Sequence, residues 1–450
     1  MQQVDVVWLV EHVARELDVA CAVRHLAGER YGTSIQVVPI NTDAARIAAT
    51  YQPRVVTIPY GFSAANAGLR NFLVCWRDAI YLNLSWEQLF YKAYLAAKAP
   101  NDTWSRQHVV HHAWGEFYCR YLLQHGVPRE HIFVNGQPAY KMYDEPYRRF
   151  FVDRAELARR HALDSARRWV FFPENYGWAF RDRNFLRTIA AEGQLDWDTL
   201  QVMKVFCEDS LRQVVRWIRD VAADGSAEVI LRARPATRQS DFEKFVREVA
   251  GPLPRRLRII KEGTVREWIM ASDVVASSYS TSLIEAAVAG KPAYMVEPLP
   301  IPDPLDAAWY VHAPRLTTRN QFVSACLETV DAASDDRLGK WARAELLGTG
   351  DPISNLADVL HRLCTSTMTR PPVPAAETIG VPGRTPTQRI RSQLHASVSF
   401  LRTIGSRANG VSSPDSRHDE FDDAEVARRT TAFGRILTQG SRPAHLSQPL

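Results

Sequence analysis

The sequence predicts an α/β protein of two doubly wound lobes followed by a basic tail of low order. Three observations carry this expectation. Short β-branched runs alternate with helical patterns, as in a parallel sheet crossed by helices. The alternation occurs twice, over residues 1–150 and 168–364, with an Arg- and Ala-rich connecting segment at 151–167. Beyond residue 364 lysine disappears and Pro-rich stretches such as Arg370-Pro-Pro-Val-Pro take over, a composition that cannot bury a core.

In the first lobe, residues 4–10 form an apolar strand and 11–28 a helix, with Val13, Leu17, Ala20, Cys21 and Leu26 at helical spacing. Strands follow at 35–40 and 54–58, with a helix at 44–51 between them. Residues 72–75 and 109–118 fit later elements, and 132–135 is a strand closing at Gly136. Residues 146–166 read as one connecting helix. The second sheet starts at Trp169-Val170-Phe171-Phe172 and continues at 228–231, 257–260, 273–276 and 293–296. Two such lobes leave a cleft where the carboxyl ends of both sheets present loops to one ligand. In the tail, 388–404 and 422–437 are helical candidates. The first carries Arg389, Arg391 and Arg402 and either docks on its own protein or touches an anionic bilayer.

With 450 residues, 46% hydrophobic and 23% charged, the chain is long enough for two cores. No apolar run reaches the roughly 20 residues of a membrane span. The opening Met1-Gln2-Gln3-Val4-Asp5 has neither a basic nor an apolar leader region, so no signal peptide is expected. The six cysteines are scattered singly, which suits reduced thiols in a cytoplasm. Of the net charge of +5, about +4 belongs to the tail, which holds eleven Arg against seven Asp or Glu. A near-neutral body argues against nucleic acid as a partner, and leaves peripheral contact with the inner membrane to the tail.

The densest chemistry lies at 272–296. There a strand feeds Ser277-Ser278-Tyr279-Ser280-Thr281-Ser282 and then a short helix stopped at Gly290. Free N–H groups and hydroxyls at such a turn suit an anion; the plain alternative is a Ser-rich helix cap. Two more loops follow strand ends of the same lobe, Glu174-Asn175-Tyr176-Gly177 and Arg232-Ala233-Arg234-Pro235. Loops at strand ends of an open sheet converge, so a carboxylate, two arginines and a hydroxyl nest share one mouth. Arginine, always charged and able to grip oxygens in pairs, suits a diphosphate or phosphate ester.

In the first lobe Glu11, Arg15, Glu16 and Asp18 cluster after the first strand. Glu11 serves as a dipole partner for the helix; Arg15, Glu16 and Asp18 lie further in, toward solvent or the cleft. Glu87 is a second carboxylate candidate, or the start of a helix with Trp86. His108, His111 and His112 have metal-like spacing. Trp114, Phe117, Tyr118 and Leu122 point instead to a packed amphipathic helix, and no nearby carboxylate or cysteine completes a ligand set. No metal is expected.

Ile284-Glu285-Ala286-Ala287-Val288-Ala289-Gly290-Lys291-Pro292 after the Ser/Thr turn resembles the nucleotide-binding half of GT-B glycosyltransferases, most closely bacterial surface-carbohydrate (capsule, O-antigen) biosynthesis proteins. Arg15-Glu16-Leu17-Asp18 and Asn135-Gly136-Gln137-Pro138 are similar to further motifs of that group. Arg234-Pro235 with the Ser-rich turn is more distantly similar to glycerophosphotransferases and Kdo transferases, with arginine in place of their histidine. The resemblance covers residues 4–365. It implies a GT-B-like fold and a metal-independent transferase without cofactor, moving sugar from a nucleotide-sugar donor to a glycan or lipid-linked glycan. It places Ser280, Thr281 and Ser282 on the phosphate, Glu285 on the ribose, and Arg232 and Arg234 on the leaving nucleotide, beside Glu174 and Asn175. Arg15 and Asp18 fall on the acceptor side, and Glu16, ahead of Glu87, is the base. A nucleotide-sugar epimerase, a CDP-polyol phosphotransferase and a non-catalytic capsule-assembly partner are the alternatives.

Overall fold

The computed structural model describes residues 1–191, 193, 195–328, 336–379 and 420–440. The helix expected at 388–404 lies outside the described residues. The chain forms two compact units, each built on a six-stranded parallel sheet. Among the described residues no helix is long and apolar enough to cross a membrane.

The first unit comprises Met1–Trp86, Ala99–Val134 and the described part of Ile353–Thr431. Its strands are β1 (Gln2–Val10), β2 (Ile35–Pro39), β3 (Tyr51–Ile58), β4 (Ile80–Asn83), β5 (Val109–Ala113) and β6 (Ile132–Val134), in the order β2-β1-β3-β4-β5-β6. Val6, Val7, Trp8 and Leu9 are all fully buried, since helices cover both faces of a parallel sheet. The helix Val13–Tyr31 ends at Gly32, which takes the left-handed φ of 65° that only glycine adopts readily. Expected in the second lobe to residue 364, the helix Pro352–Thr365 instead packs here from Ile353 on. Its Leu356, Leu360 and Leu363 are fully buried. Tyr31 donates to Asp358 at 2.8 Å and stacks on His361 at 4.2 Å. The tail helix expected at 422–437 is observed as Asp423–Gly440, and its Val426 is fully buried.

The second unit comprises Glu87–Lys98 and the described parts of Asn135–Pro352 and Ala432–Leu450. Its strands are β7 (Arg168–Pro173), β8 (Ala227–Arg232), β9 (Leu257–Ile259), β10 (Val274–Ser277), β11 (Ala293–Val296) and β12 (Arg315–Leu316). They run β12-β11-β10-β7-β8-β9, so the first strand is central and the chain winds outward both ways. Between β7 and β10 the order reverses, which opens a crevice at their carboxyl ends. The long helix Trp197–Asp224 buries Leu200, Met203, Cys207, Leu211, Val214 and Ile218 on one face, the helical spacing of an amphipathic stripe. Gly136, at φ 94°, lies against backbone: a Cβ there would come 2.2 Å from the Leu347 carbonyl oxygen. Only glycine fits that approach, which explains the Asn135-Gly136-Gln137-Pro138 turn.

The single connecting helix expected at 146–166 is instead a 3₁₀ turn, Tyr147–Phe150, followed by the helix Arg154–His161. Asp153 caps that helix by accepting from the Glu156 N–H at 2.9 Å, and this cap fixes a new start.

Candidate active site

The crevice of the second unit is built by three loops that follow β7, β8 and β10. Ser277 closes the first to the third by donating to the Pro173 carbonyl at 2.5 Å. Asn175 bridges the same pair, its amide donating to the Tyr279 carbonyl at 3.4 Å and to the Tyr91 hydroxyl at 3.3 Å. Glu174 is 3% exposed and ties in the second loop. It accepts from the Arg234 N–H at 3.3 Å, the Thr237 hydroxyl at 3.4 Å and the Tyr176 N–H. Burial pushes its carboxyl above the usual range, against the lowering charge of Arg234.

Arg232 and Arg234 are both brought to this end of the sheet, and they do different work. Arg232 is the last residue of β8, buried, and donates to the carbonyls of Lys261 at 3.1 Å and Gly263 at 2.9 Å. Desolvation lowers its pKa to about 10. It braces the loop after β9. Arg234 is half-buried and lies across Gly177, where a Cβ would come 2.3 Å from its Nη1. Glycine at 177 is thus what lets the guanidinium lie flat on the loop.

Sequence reasoning missed Arg181, which follows the 3₁₀ turn Gly177–Phe180. Half-buried, it packs over the Phe185 ring at 4.5 Å. Burial lowers its pKa, and the nearby positive charge of Arg234 lowers it further. Among the described residues neither guanidinium has an ion-pair or hydrogen-bond partner. The buried Glu174 carboxylate answers Arg234 in part, and the two guanidiniums together keep an excess of positive charge that suits an anion or water. The alternation of Arg181, Asp182 and Arg183 was the signal available in the sequence.

The hydroxyl turn is only partly open. Ser280 donates to Ser282 at 3.2 Å and accepts the Ser282 N–H at 3.2 Å. Thr281 is exposed and makes no side-chain cap to the seven-residue helix Ser282–Val288. The hydroxyls of Ser278 and Tyr176 are buried with no hydrogen-bond partner among the described residues. Tyr279 is buried beneath them, its hydroxyl 3.0 Å from the Cys207 sulfur; burial pushes that thiol up to about 12, so it stays protonated. Glu285, one turn into the helix, accepts from the Tyr143 hydroxyl at 2.7 Å.

The first unit holds Arg15, Glu16 and Asp18. Glu16 is fully buried and accepts from the Glu11 N–H at 2.9 Å, the His12 N–H at 3.3 Å and Arg15 at 2.8 Å. Burial raises its pKa against the opposing charge of Arg15. Asp18 is 1% exposed and paired with Arg429. Glu87, by contrast, packs in the second unit, exposed and paired to Lys98 at 2.5 Å.

His111 and His112 lie on β5 rather than on a helix; the helix Glu116–Gln124 starts only after Gly115. Strand alternation sends the two rings to opposite faces. Both ring nitrogens of His111 are engaged, with Asn83 at 3.2 Å and the Ser105 carbonyl at 2.7 Å. Burial lowers its pKa to about 4, so the ring is a neutral core group.

No protein-family model matches the chain, and no curated protein matches it. Solved structures share the fold. The MnaA–UDP co-structure from S. aureus is similar at a TM-score of 0.51 and 11% identity, over 84% of this chain and 100% of that one. A UDP-N-acetylglucosamine 2-epimerase is similar at 0.51 and 10%, over 83% and 99%. The UDP-GlcNAc 2-epimerase from Neisseria meningitidis, bound to UDP-GlcNAc, is similar at 0.50 and 10%, over 81% and 100%. The two-lobed GT-B-like fold follows from this likeness and from the two parallel sheets.

Proposed function

We propose that the chain is an enzyme acting on a nucleotide sugar, whose diphosphate is held in the crevice of the second unit. One observation carries the reading: Arg181 and Arg234 lie near each other at the strand-order reversal with neither guanidinium in an ion pair among the described residues, and the buried Glu174 offsets only part of their charge. A diphosphate supplies the missing charge, and the guanidinium fork matches its oxygens. Ser280, Thr281 and Ser282 add neutral donors, and Glu285 takes the ribose beside Tyr143. Arg232 acts indirectly, by holding the loop.

The reaction we assign is sugar transfer to a glycan or lipid-linked glycan in building bacterial surface polysaccharide. The two arginines stabilise the charge that develops on the leaving nucleotide, without a metal. Glu16, ahead of Glu87, takes the acceptor proton. The basic tail supplies peripheral contact with the inner membrane.

A second reading, nucleotide-sugar epimerisation, is supported by fold likeness over almost the whole length of the 2-epimerase chains. The test has two stages. Thermal shift with UDP, CDP, GDP and CMP identifies the base. Incubation with the matching nucleotide sugar alone then separates the readings, since an epimerase alters the sugar without an acceptor. A protein stabilised by none of the four nucleotides is not this enzyme.

A further inference from the structure

The segment Glu87–Lys98 lies in sequence between β4 and β5 of the first sheet, yet it packs in the second unit. Its ends are tied at the neck by the Glu87–Lys98 ion pair at 2.5 Å, as in a closed surface loop. Its centre is the 3₁₀ turn Lys92–Tyr94. Lys92 latches it, with Nζ 2.6 Å from Asp303 and 2.8 Å from Asp306, and its backbone N–H donates to the Asp306 carbonyl at 2.9 Å. These ion pairs are exposed, so each contributes little.

What fixes the loop is Tyr91. Its ring meets Tyr279 edge-on at 5.5 Å, and its hydroxyl accepts the Asn175 amide at 3.3 Å. The loop therefore rests directly on two of the three crevice loops. Tyr94 follows, its ring 6.2 Å from that of Tyr91. Burial pushes its phenol up to about 12, and the charges of Arg234, Glu87 and Arg181 all reach it; through Tyr91 and Asn175 it adjoins the loop over which Arg234 lies. It remains a protonated donor beside the arginine pair.

We propose that Glu87–Lys98 is a ligand-binding strap of the second unit, in which Tyr94 donates its phenolic hydrogen to the phosphoryl group held by Arg181 and Arg234. Tyr91 positions the strap, and Lys92 latches it. The proposal rests on the nucleotide reading above, and the two fail differently.

The experiment is calorimetric titration of the full chain with UDP, CDP and GDP, with pyrophosphate, and with uridine, cytidine and guanosine. It compares wild type with Tyr94→Phe, Lys92→Met and Arg234→Ala. Tyr94→Phe removes one oxygen, so the fold is retained, and unliganded melting confirms it. The expected result is a loss of about tenfold in affinity for the preferred diphosphate and for pyrophosphate, with affinity for the nucleoside unchanged. Lys92→Met produces a smaller loss, and hydrogen exchange over 87–98 slows when diphosphate binds to wild type. Diphosphate affinity unchanged in Tyr94→Phe but lost in Arg234→Ala overturns the strap and leaves the nucleotide reading standing. Wild type that binds no diphosphate overturns both.

Discussion

The two units place a strand-order reversal at the carboxyl ends of β1 and β3 in one case and of β7 and β10 in the other, with opposite electrostatics. In the first, Glu16 is buried against its own arginine, Arg15, and two backbone N–H groups. In the second, Arg181 and Arg234 lie near each other, outside any ion pair among the described residues, with only the buried Glu174 to offset them. One end neutralises itself, and the other awaits an anion. Each sheet has its own strand order and its own reversal, and the function proposed above puts the anion at the second.

Arginine removal breaks this comparison most sharply. The double variant Arg181→Ala/Arg234→Ala should lose roughly 100-fold or more in affinity for a nucleoside diphosphate, about 3 kcal/mol. Its unliganded melting temperature should change little, because the like-charge repulsion removed is offset by the loss of Arg234's charge beside the buried Glu174. Titration calorimetry and thermal melting read the two effects.

A pH titration probes the first unit, where His111 stays neutral. Its folded pKa of about 4 lies below the unfolded value of 6.5, so the unfolded chain binds the proton first. Stability is complete above pH 6.5, falls as pH drops toward 4, and loses nothing more from this group below that. The loss is about 3 kcal/mol at most. Denaturant unfolding across this range should show it, and His111→Gln should flatten the slope.

Arg15→Ala is the mirror of the arginine experiment. It leaves Glu16 buried without its cation and should cost about 2 kcal/mol of stability, with nucleotide affinity unchanged. The smallest effect is expected from Gly177→Ala. Its Cβ displaces the end of a flexible side chain rather than backbone, so diphosphate affinity should fall about fivefold, near 1 kcal/mol, with stability preserved.

Local pattern made most strands of both sheets and the three crevice loops legible, because a buried parallel strand is a short apolar run and the turn after it is polar; it missed the short strands β4 and β12, and the element placed at 72–75 belongs to the helix Arg70–Cys75. It could not divide Arg232 from Arg234. Two positions separate a β8 strand end, buried against Lys261 and Gly263, from a loop arginine lying over Gly177. Arg181 was missed because its significance lies in a neighbour more than fifty residues away. The strap was illegible for the same reason: Lys92 meets Asp303 and Asp306, and no local periodicity reports a partner so distant. The return of Pro352–Thr365 to the first unit is likewise set by packing of Leu356, Leu360 and Leu363, whose stripe shows a helix but not its destination.

The central claim is that the Arg181 and Arg234 pair, only partly offset by Glu174, makes the second unit a diphosphate site. Thermal melting of wild type and Arg234→Ala with UDP, CDP and GDP, each beside its parent nucleoside, tests it most directly. The account predicts that one diphosphate raises the wild-type melting temperature, its nucleoside much less, and that Arg234→Ala abolishes the difference. A wild type indifferent to all three diphosphates, or an Arg234→Ala variant that responds like wild type, contradicts it.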